Sequence, residues 1–226
     1  MQRPEVIMVN SISLDGRITG FEAKMELHYG IVNEYGADFY MVGSNTAKTG
    51  IEMFGSVPPE TETDYSKLHK NVKLSYWLIP DTRGVLKGML HTFRRYEFCR
   101  DVIVLISRRT SRDYIDYLEK RHYDYLVCGD KFVNYKMAFK NLVIKYNAKR
   151  ILVDTGPTLS GILLKQRLVD KISLLIHPVL AGNNFPCVFE NLDLGNSNIK
   201  LKFEKHETLE NNYLRMVWQV INDENK

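Results

Sequence analysis

Apolar residues in this chain fall into short runs broken by polar turns, and their spacing alternates between strand and helix periods. Val6 to Asn10 reads as a buried first strand, which breaks at the turn Ser13-Leu14-Asp15-Gly16. Met25 to Tyr35 carries Leu27, Ile31 and Tyr35 at spacing four and predicts a helix. Asp38 to Val42 predicts a second strand ending at Gly43, after which Ser44-Asn45-Thr46 can cap a short helix. Gly50 to Lys73 is polar, with Pro58-Pro59 and the acids Glu60, Glu62 and Asp64. It reads as a long surface loop, the kind that often edges a site. Ser75 to Ile79 predicts a third strand, closed by Pro80-Asp81-Thr82-Arg83-Gly84, and Val102 to Ile106 a fourth. Thr110 to Asp113 has the form of a capping box, opening a helix with Tyr114, Ile115 and Leu118 on one face. Tyr123 to Val127 predicts a fifth strand ending at Cys128-Gly129-Asp130, followed by a helix over Asn134 to Tyr146 through Met137, Leu142 and Ile144. Arg150 to Val153 predicts a sixth strand. Pro157 to Leu168 follows as an amphipathic helix carrying Leu159, Ile162, Leu163 and Gln166, and Lys171 to Ile176 as a seventh strand. Leu201 to Phe203 and Leu214 to Val220 read as two closing strands, antiparallel to each other.

Strands alternating with helices, then strands alone, predict an α/β fold. Its central sheet is mostly parallel, with helices on both faces and antiparallel C-terminal edge strands. At 226 residues the chain can bury a full core, and one domain is the simplest organisation. Hydrophobic residues at 44% and charged residues at 26% exclude a disordered chain. No apolar run approaches a membrane span, and no long apolar core follows Arg3-Pro4 as in a signal peptide. Cys99, Cys128 and Cys187 cannot all pair within one chain and none forms a CxxC, which fits a reducing cytoplasm. The six histidines lack metal-ligand spacing, so no metal is expected. The net charge of +4 is spread among acids along the whole chain, which argues against nucleic acid as a partner.

Ligands of such sheets bind beyond the carboxyl ends of the strands. Here those ends are Asn10-Ser11, Gly43, Pro80-Asp81, Ser107-Arg108, Cys128-Gly129 and Asp154-Thr155-Gly156. A helix starting straight after a buried strand presents free N–H groups and a favourable dipole to an anion. At Asp154-Thr155-Gly156-Pro157-Thr158, Thr155 or Gly156 can cap the helix, Pro157 suits its first turn, and Thr158 adds a hydroxyl. A plain strand-to-helix turn is the alternative. An aspartic-protease turn also begins Asp-Thr-Gly, but there the surroundings are all β. Gly43, Asn45 and Thr46 form a second strand-to-helix anion site. It is no P-loop, because Ala47 stands where the glycine is needed. Ser107-Arg108-Arg109 suits a ribose 2′-phosphate, which arginine holds through paired bonds, although solvated surface charge explains it equally. Asp15, Ser11 and Ser13 would stand at the mouth of a substrate site. No GxGxxG, HExxH or Gly-x-Ser-x-Gly occurs.

These motifs in this order resemble the reductase domain of riboflavin biosynthesis (the RibD C-terminal domain family), found as half of a bifunctional deaminase-reductase and as a stand-alone archaeal enzyme. Ser13-Leu14-Asp15-Gly16 looks like the family's Ser-x-Asp-Gly, and Gly43-Ser44-Asn45-Thr46 like its Gly-x-x-Thr. Asp81-Thr82 is similar to its Asp-Ser, Asp154-Thr155-Gly156 to its Glu-Gly-Gly, and Leu168-Val169-Asp170-Lys171, Pro178 and Gly182 to its Leu-Val-Asp-Glu, Pro and Gly. The resemblance implies a dihydrofolate-reductase-like fold and a homodimer. It also implies NADPH as cofactor and hydride transfer to a ribosylamino-pyrimidine phosphate, opening its ribose to a ribityl chain. Gly43 to Thr46, Asp81-Thr82-Arg83, Ser107-Arg108, Gly129 and Asp154 to Thr158 would bind the cofactor. Asn10, Ser11, Ser13 and Arg17 would face a small-molecule substrate. Asp15 would be the proton donor or a substrate anchor, and Lys24, Lys48 and Arg17 are the cations available for a phosphate. The chain departs from the family at Thr49 to Phe54, where Asp-Asp-Pro-x-Leu is absent, at Glu34, where a basic residue is usual, and at Thr155, where a glycine is usual. A same-fold reductase of a pterin, folate or other carbonyl or imine, and a non-catalytic nucleotide-binding protein, are the other readings.

Overall fold

The computed structural model describes residues 3–53 and 55–222; Phe54, which closes the departing segment above, lies outside them. The elements in chain order are β1 (Glu5–Ser13), α1 (Met25–Glu34), β2 (Phe39–Met41), α2 (Ser44–Met53), β3 (Tyr76–Pro80), α3 (Leu90–Arg95), β4 (Val102–Ile106), α4 (Arg112–Lys120), β5 (Asp124–Val127), α5 (Tyr135–Tyr146), β6 (Arg150–Val153), α6 (Pro157–Lys165), β7 (Lys171–His177), β8 (Lys200–Thr208) and β9 (Leu214–Ile221). They form two compact units, one built mainly from Ala37–Ile151 and the other from Glu5–Gly36 and Leu152 onward.

In the first unit the strands run in the order β5-β4-β3-β2, all parallel. Val102 to Ile106 are all fully buried, as a parallel strand covered on both faces requires. Ser111 caps α4 by accepting the Tyr114 amide, so the cap lies one residue later than a box over Thr110 to Asp113 would put it. Asn134 caps α5 through the Met137 amide, and Asn147 ends it in the left-handed conformation. The buried face of α5 is Tyr135, Ala138, Phe139 and Leu142; Met137 and Ile144, which the periodicity pointed inward, are exposed. Ser44, Asn45 and Thr46 are the first turn of α2 rather than residues preceding it.

Two further differences have one cause. The expected surface loop over 50–73 is partly helical, through the end of α2 and a 3-10 turn at Glu62–Tyr65, and α3 has no periodic signature in the sequence. Both are organised by three cations, one of them fully buried. Arg94, fully buried, donates to the Asp101 carboxylate at 2.8 Å and to the carbonyls of Asp64, Arg121 and His122, and stacks on the Tyr123 ring. Lys70 spends its three N–H donors on the carbonyls of Arg94, Tyr96 and Cys99 at 2.6, 2.6 and 2.8 Å. Arg121 grips Glu60 with both arms of its guanidinium. These bonds tie Glu60, Asp64 and Lys70 to the surrounding unit.

In the second unit the order is β6-β1-β7-β9-β8. β1 and β7 are parallel, and β7, β9 and β8 pair antiparallel, as expected of the closing strands. β8 spans nine residues instead of the three apolar ones read from the sequence. It is an edge strand exposed along its length, so its charged residues carry no burial signal. The buried residues of α1 are His28 and Ile31, not the Leu27, Ile31 and Tyr35 stripe.

Candidate active site

The turn after β1 is organised by Asp15. Gly16, at φ +78, allows the chain to reverse there. The Asp15 carboxylate accepts the Ser13 hydroxyl at 2.6 Å and the Ala181 and Gly182 amides at 3.0 and 2.8 Å. Those three bonds, the Ser13 hydroxyl foremost and then the two amides, hold its pKa well below the usual carboxylate range. Ser13 also accepts the Arg17 amide at 2.9 Å and is fully buried, so its hydroxyl is committed to the turn and does not face a substrate. Arg17 is held by Asn183 Oδ1 at 2.8 Å and the Phe185 carbonyl at 3.1 Å. Asp15, Ser13 and Arg17 together fasten the segment after β7.

Asn10 and Ser11 have different surroundings. Asn10 is buried and donates Nδ2 to the Thr155 carbonyl at 3.0 Å, which fixes the direction of its amide and leaves Oδ1 buried without a partner. Ser11 is partly exposed, and its Oγ lies 3.0 Å from Nδ1 of His28. The other ring nitrogen, Nε2, lies 2.8 Å from Asp154. Burial opposes charge on His28, but the adjacent Asp154 carboxylate outweighs it and the pKa is raised. The sequence reading missed His28. Its signal was a polar residue three positions before Ile31 on the buried helical face, where a side chain must find partners.

Gly156 caps α6 in an extended conformation with Pro157 at the first helical position, and no side chain caps the helix. The Asp154 to Thr158 segment is thus a strand-to-helix turn with proline in the first helical turn. Thr155 is buried, Thr158 is exposed, and the Thr158 hydroxyl meets Asn191 Nδ2 at 3.4 Å. Glu34, at the departing position in α1, pairs with Arg215 of β9 at 2.5 Å.

The remaining candidates stand at the carboxyl ends of the parallel strands of the first unit. Gly43 precedes α2, and its carbonyl accepts the Ala47 amide. Asn45 and Thr46 are exposed. Asp81 is buried, and its carboxylate accepts the Val85 and Leu86 amides and the Tyr114 hydroxyl, each at 2.9 Å. It therefore builds its turn, which differs from an expected contact with cofactor. The Thr82 carbonyl accepts the Thr110 hydroxyl, and Arg83 is exposed. Ser107 is buried and donates to the Lys131 carbonyl, again a turn role, while Arg108 pairs with Asp130 in solvent. Gly129 is required by its own turn. Its φ is +97, and a Cβ there would lie 2.3 Å from the Phe132 carbonyl oxygen. Gly129→Ala is expected to cost about 1–3 kcal/mol, measured by chemical denaturation; an unchanged midpoint would contradict this geometry.

Among the described residues, no group of three or more His, Cys, Asp or Glu side chains could hold a metal ion, and no helix is long and apolar enough to cross a membrane. The model of the RibD C-terminal domain matches residues 4–215. A 2,5-diamino-6-ribosylamino-4(3H)-pyrimidinone 5′-phosphate reductase of Aquifex aeolicus (strain VF5) is 25% identical over 239 residues, covering 98% of this chain and 99% of that protein. A pyrimidine reductase-like protein of Corynebacterium diphtheriae superposes with TM-score 0.69 at 19% identity, covering 97% of this chain and 93% of its own. The riboflavin biosynthesis reductase Rib7 of Saccharomyces does so with TM-score 0.67 at 20% identity, covering 97% and 90%. The shared fold is the dihydrofolate-reductase-like α/β type. With the family model running from the first strand into the last, this chain belongs to the RibD C-terminal domain family.

Proposed function

We propose that this chain is an NADPH-dependent reductase of riboflavin biosynthesis, acting on a ribosylamino-pyrimidine 5′-phosphate and opening its ribose to a ribityl chain. The observation that carries the reading is the buried, unpartnered Oδ1 of Asn10, a residue tied to Thr155 just before α6. A buried acceptor without a donor is costly, and a ligand N–H supplies what it lacks. Family membership supports the chemistry, and the substrate named for the Aquifex relative supports the pyrimidine phosphate.

The reading calls for a nicotinamide dinucleotide, and each unit by itself offers groups suited to phosphate oxygens: the first-turn amides of α6 and the Thr158 hydroxyl in one, the first turn of α2 with Asn45 and Thr46 in the other. Arg108, and the exposed Arg83, would take the 2′-phosphate that distinguishes NADPH from NADH. When bound, the nicotinamide supplies a hydride. The protein's own part is to orient the sugar, exclude water and manage a proton. Asp15 serves as the anchor of the segment after β7 rather than as an acid. The three free cysteines support a cytoplasmic setting, and the exposed β8 edge with Leu201 and Phe203 supports a homodimer. The chain would act as a single domain of this family.

Fluorescence titration with NADPH and NADH, then turnover of the ribosylamino-pyrimidine phosphate and of dihydrofolate, tests the reading. NADPH should bind the more tightly, and only the first substrate should turn over. Arg108→Ala should reduce the NADPH preference about tenfold. Turnover of dihydrofolate instead would move the chain to the pterin reading, and no binding of either nucleotide would remove the reductase reading.

A further inference from the structure

We propose that Ser11, His28 and Asp154 form a proton relay, in which Ser11 Oγ delivers a proton to the substrate oxygen released as the ribose opens. This rests on the reductase reading above and names the residues that complete its chemistry.

The geometry supports a relay over a plain structural tie. Ser11 Oγ, the imidazole of His28 and the Asp154 carboxylate follow one another at 3.0 and 2.8 Å. Only the imidazole is buried; the two ends are partly exposed, one on β1 and one at the start of α6. Both partners of the ring accept hydrogen bonds, so a protonated imidazole can donate from Nε2 to Asp154 and from Nδ1 to Ser11. The Ser11 hydroxyl then has its own hydrogen to give outward. The next residue on β1, Asn10, is the one with the unfilled acceptor, and it binds Thr155, the neighbour of Asp154.

The other groups around His28 point the same way. His177 of β7 accepts the Lys24 amide on Nε2 at 3.0 Å, and its Nδ1–H reaches the Ile12 carbonyl at 3.2 Å. Burial, foremost, and the charge on His28 lower the pKa of His177. Tyr29 presents its ring edge-on to His28, and the Lys24 ammonium is exposed, 3.9 Å from Glu26. Asp15, at the turn after β1, is ionised and committed to three donors. His28 is therefore the proton-storing group placed for this step.

The anomeric carbon gains a hydrogen with its electron pair from the reduced nicotinamide, which ends oxidised. The bond from that carbon to the ring oxygen breaks, and the oxygen keeps the pair. It takes the hydrogen of Ser11 Oγ, which in turn takes the Nδ1 proton of His28, leaving a neutral imidazole bonded to Asp154. Solvent returns the proton. Ser11 is the catalytic residue in this scheme, while His28 and Asp154 position and charge it.

Two measurements test the relay. The first is NMR titration of the His28 imidazole in the protein without cofactor or substrate. It should titrate above the ordinary 6.5, and Asp154→Asn should lower its pKa. The second is the pH profile of kcat. The acid form is the active one, so kcat should fall as pH rises through the His28 pKa, and His28→Gln should abolish that limb. Ser11→Ala should lower kcat about a hundredfold with KM within a few-fold, and should serve as the kinetic variant if His28→Gln fails to fold. A His28 that is neutral at pH 6.5, or a Ser11→Ala enzyme with unchanged kcat and pH profile, would overturn the relay while leaving the reductase reading intact. A wild-type protein that turns over no ribosylamino-pyrimidine phosphate would overturn the function itself, and the relay's catalytic role with it.

Discussion

Replacing Asp15 by alanine is expected to lower kcat/KM about a hundredfold, the penalty typical of displacing substrate-positioning groups by about an ångström. The carboxylate holds two successive backbone amides, Ala181 and Gly182, and the Ser13 hydroxyl. Alanine releases all three donors. Asn183, which Arg17 holds, is the next residue along the released segment. Asp15→Asn keeps one acceptor oxygen but turns an NH2 group toward a backbone N–H, so it should be nearly as damaging. The pH behaviour separates this role from acid catalysis. The folded pKa of Asp15 is depressed, so its contribution is fully present above the ordinary carboxylate pKa and is lost only as pH falls through the lower folded value. From weakly acidic to alkaline pH the group does not titrate, and its variants should keep the wild-type shape of the pH profile. Hydrogen exchange should show the Ala181 and Gly182 amides unprotected in the alanine variant. An Asp15→Asn enzyme within twofold of wild type, or one that lost a limb of the profile, would refute the anchor role.

Arg94→Met should lower the melting temperature by about 10 °C or more. Removing one partner of a buried ion pair costs about 3–5 kcal/mol, because the other is left buried and uncompensated. A chain of this size loses about 2–4 °C per kcal/mol. Asp101 would retain only its Val102 amide, and the Asp64, Arg121 and His122 carbonyls would lose their donor. Arg94→Lys should recover little, since an ammonium cannot copy the planar fork that reaches Asp101 and several backbone carbonyls at once. A scanning-calorimetry midpoint within 2 °C of wild type would show that the cluster is not a keystone of this unit.

Strands were more legible than their surroundings. β4 and β6 match their apolar runs residue for residue, because a strand buried on both faces needs a continuous run and nothing else. Helix faces were read less well. In α5 the apolar Met137 and Ile144 are exposed, and in α1 a histidine takes the inward position. Periodicity records which residues can be buried, not which face the neighbouring strands cover. α3 was invisible because its stability comes from Arg94 and its carbonyl partners, which lie far apart in the chain.

The candidate site divides in the same way. The Asp15-Gly16 turn, the Gly43 and Asp154 strand ends and the Pro157 helix start could be read locally, because turns, caps and helix termini are short-range chemistry. What each polar group does there could not. Asp81 and Ser107 proved to be turn builders, Ser13 and Asp15 to be fasteners of a distant segment, and His28 to bridge β1 and the start of α6. The sequence by itself determined the alternation of strands and helices, the turn chemistry at the strand ends and the family. Only the tertiary structure decided which carboxylate is already spent on backbone amides and which imidazole is held between a hydroxyl and a carboxylate. A hydrogen bond needs its partners within about 3 Å, and residues such as 15 and 181 or 28 and 154 are brought that close only by the packed fold.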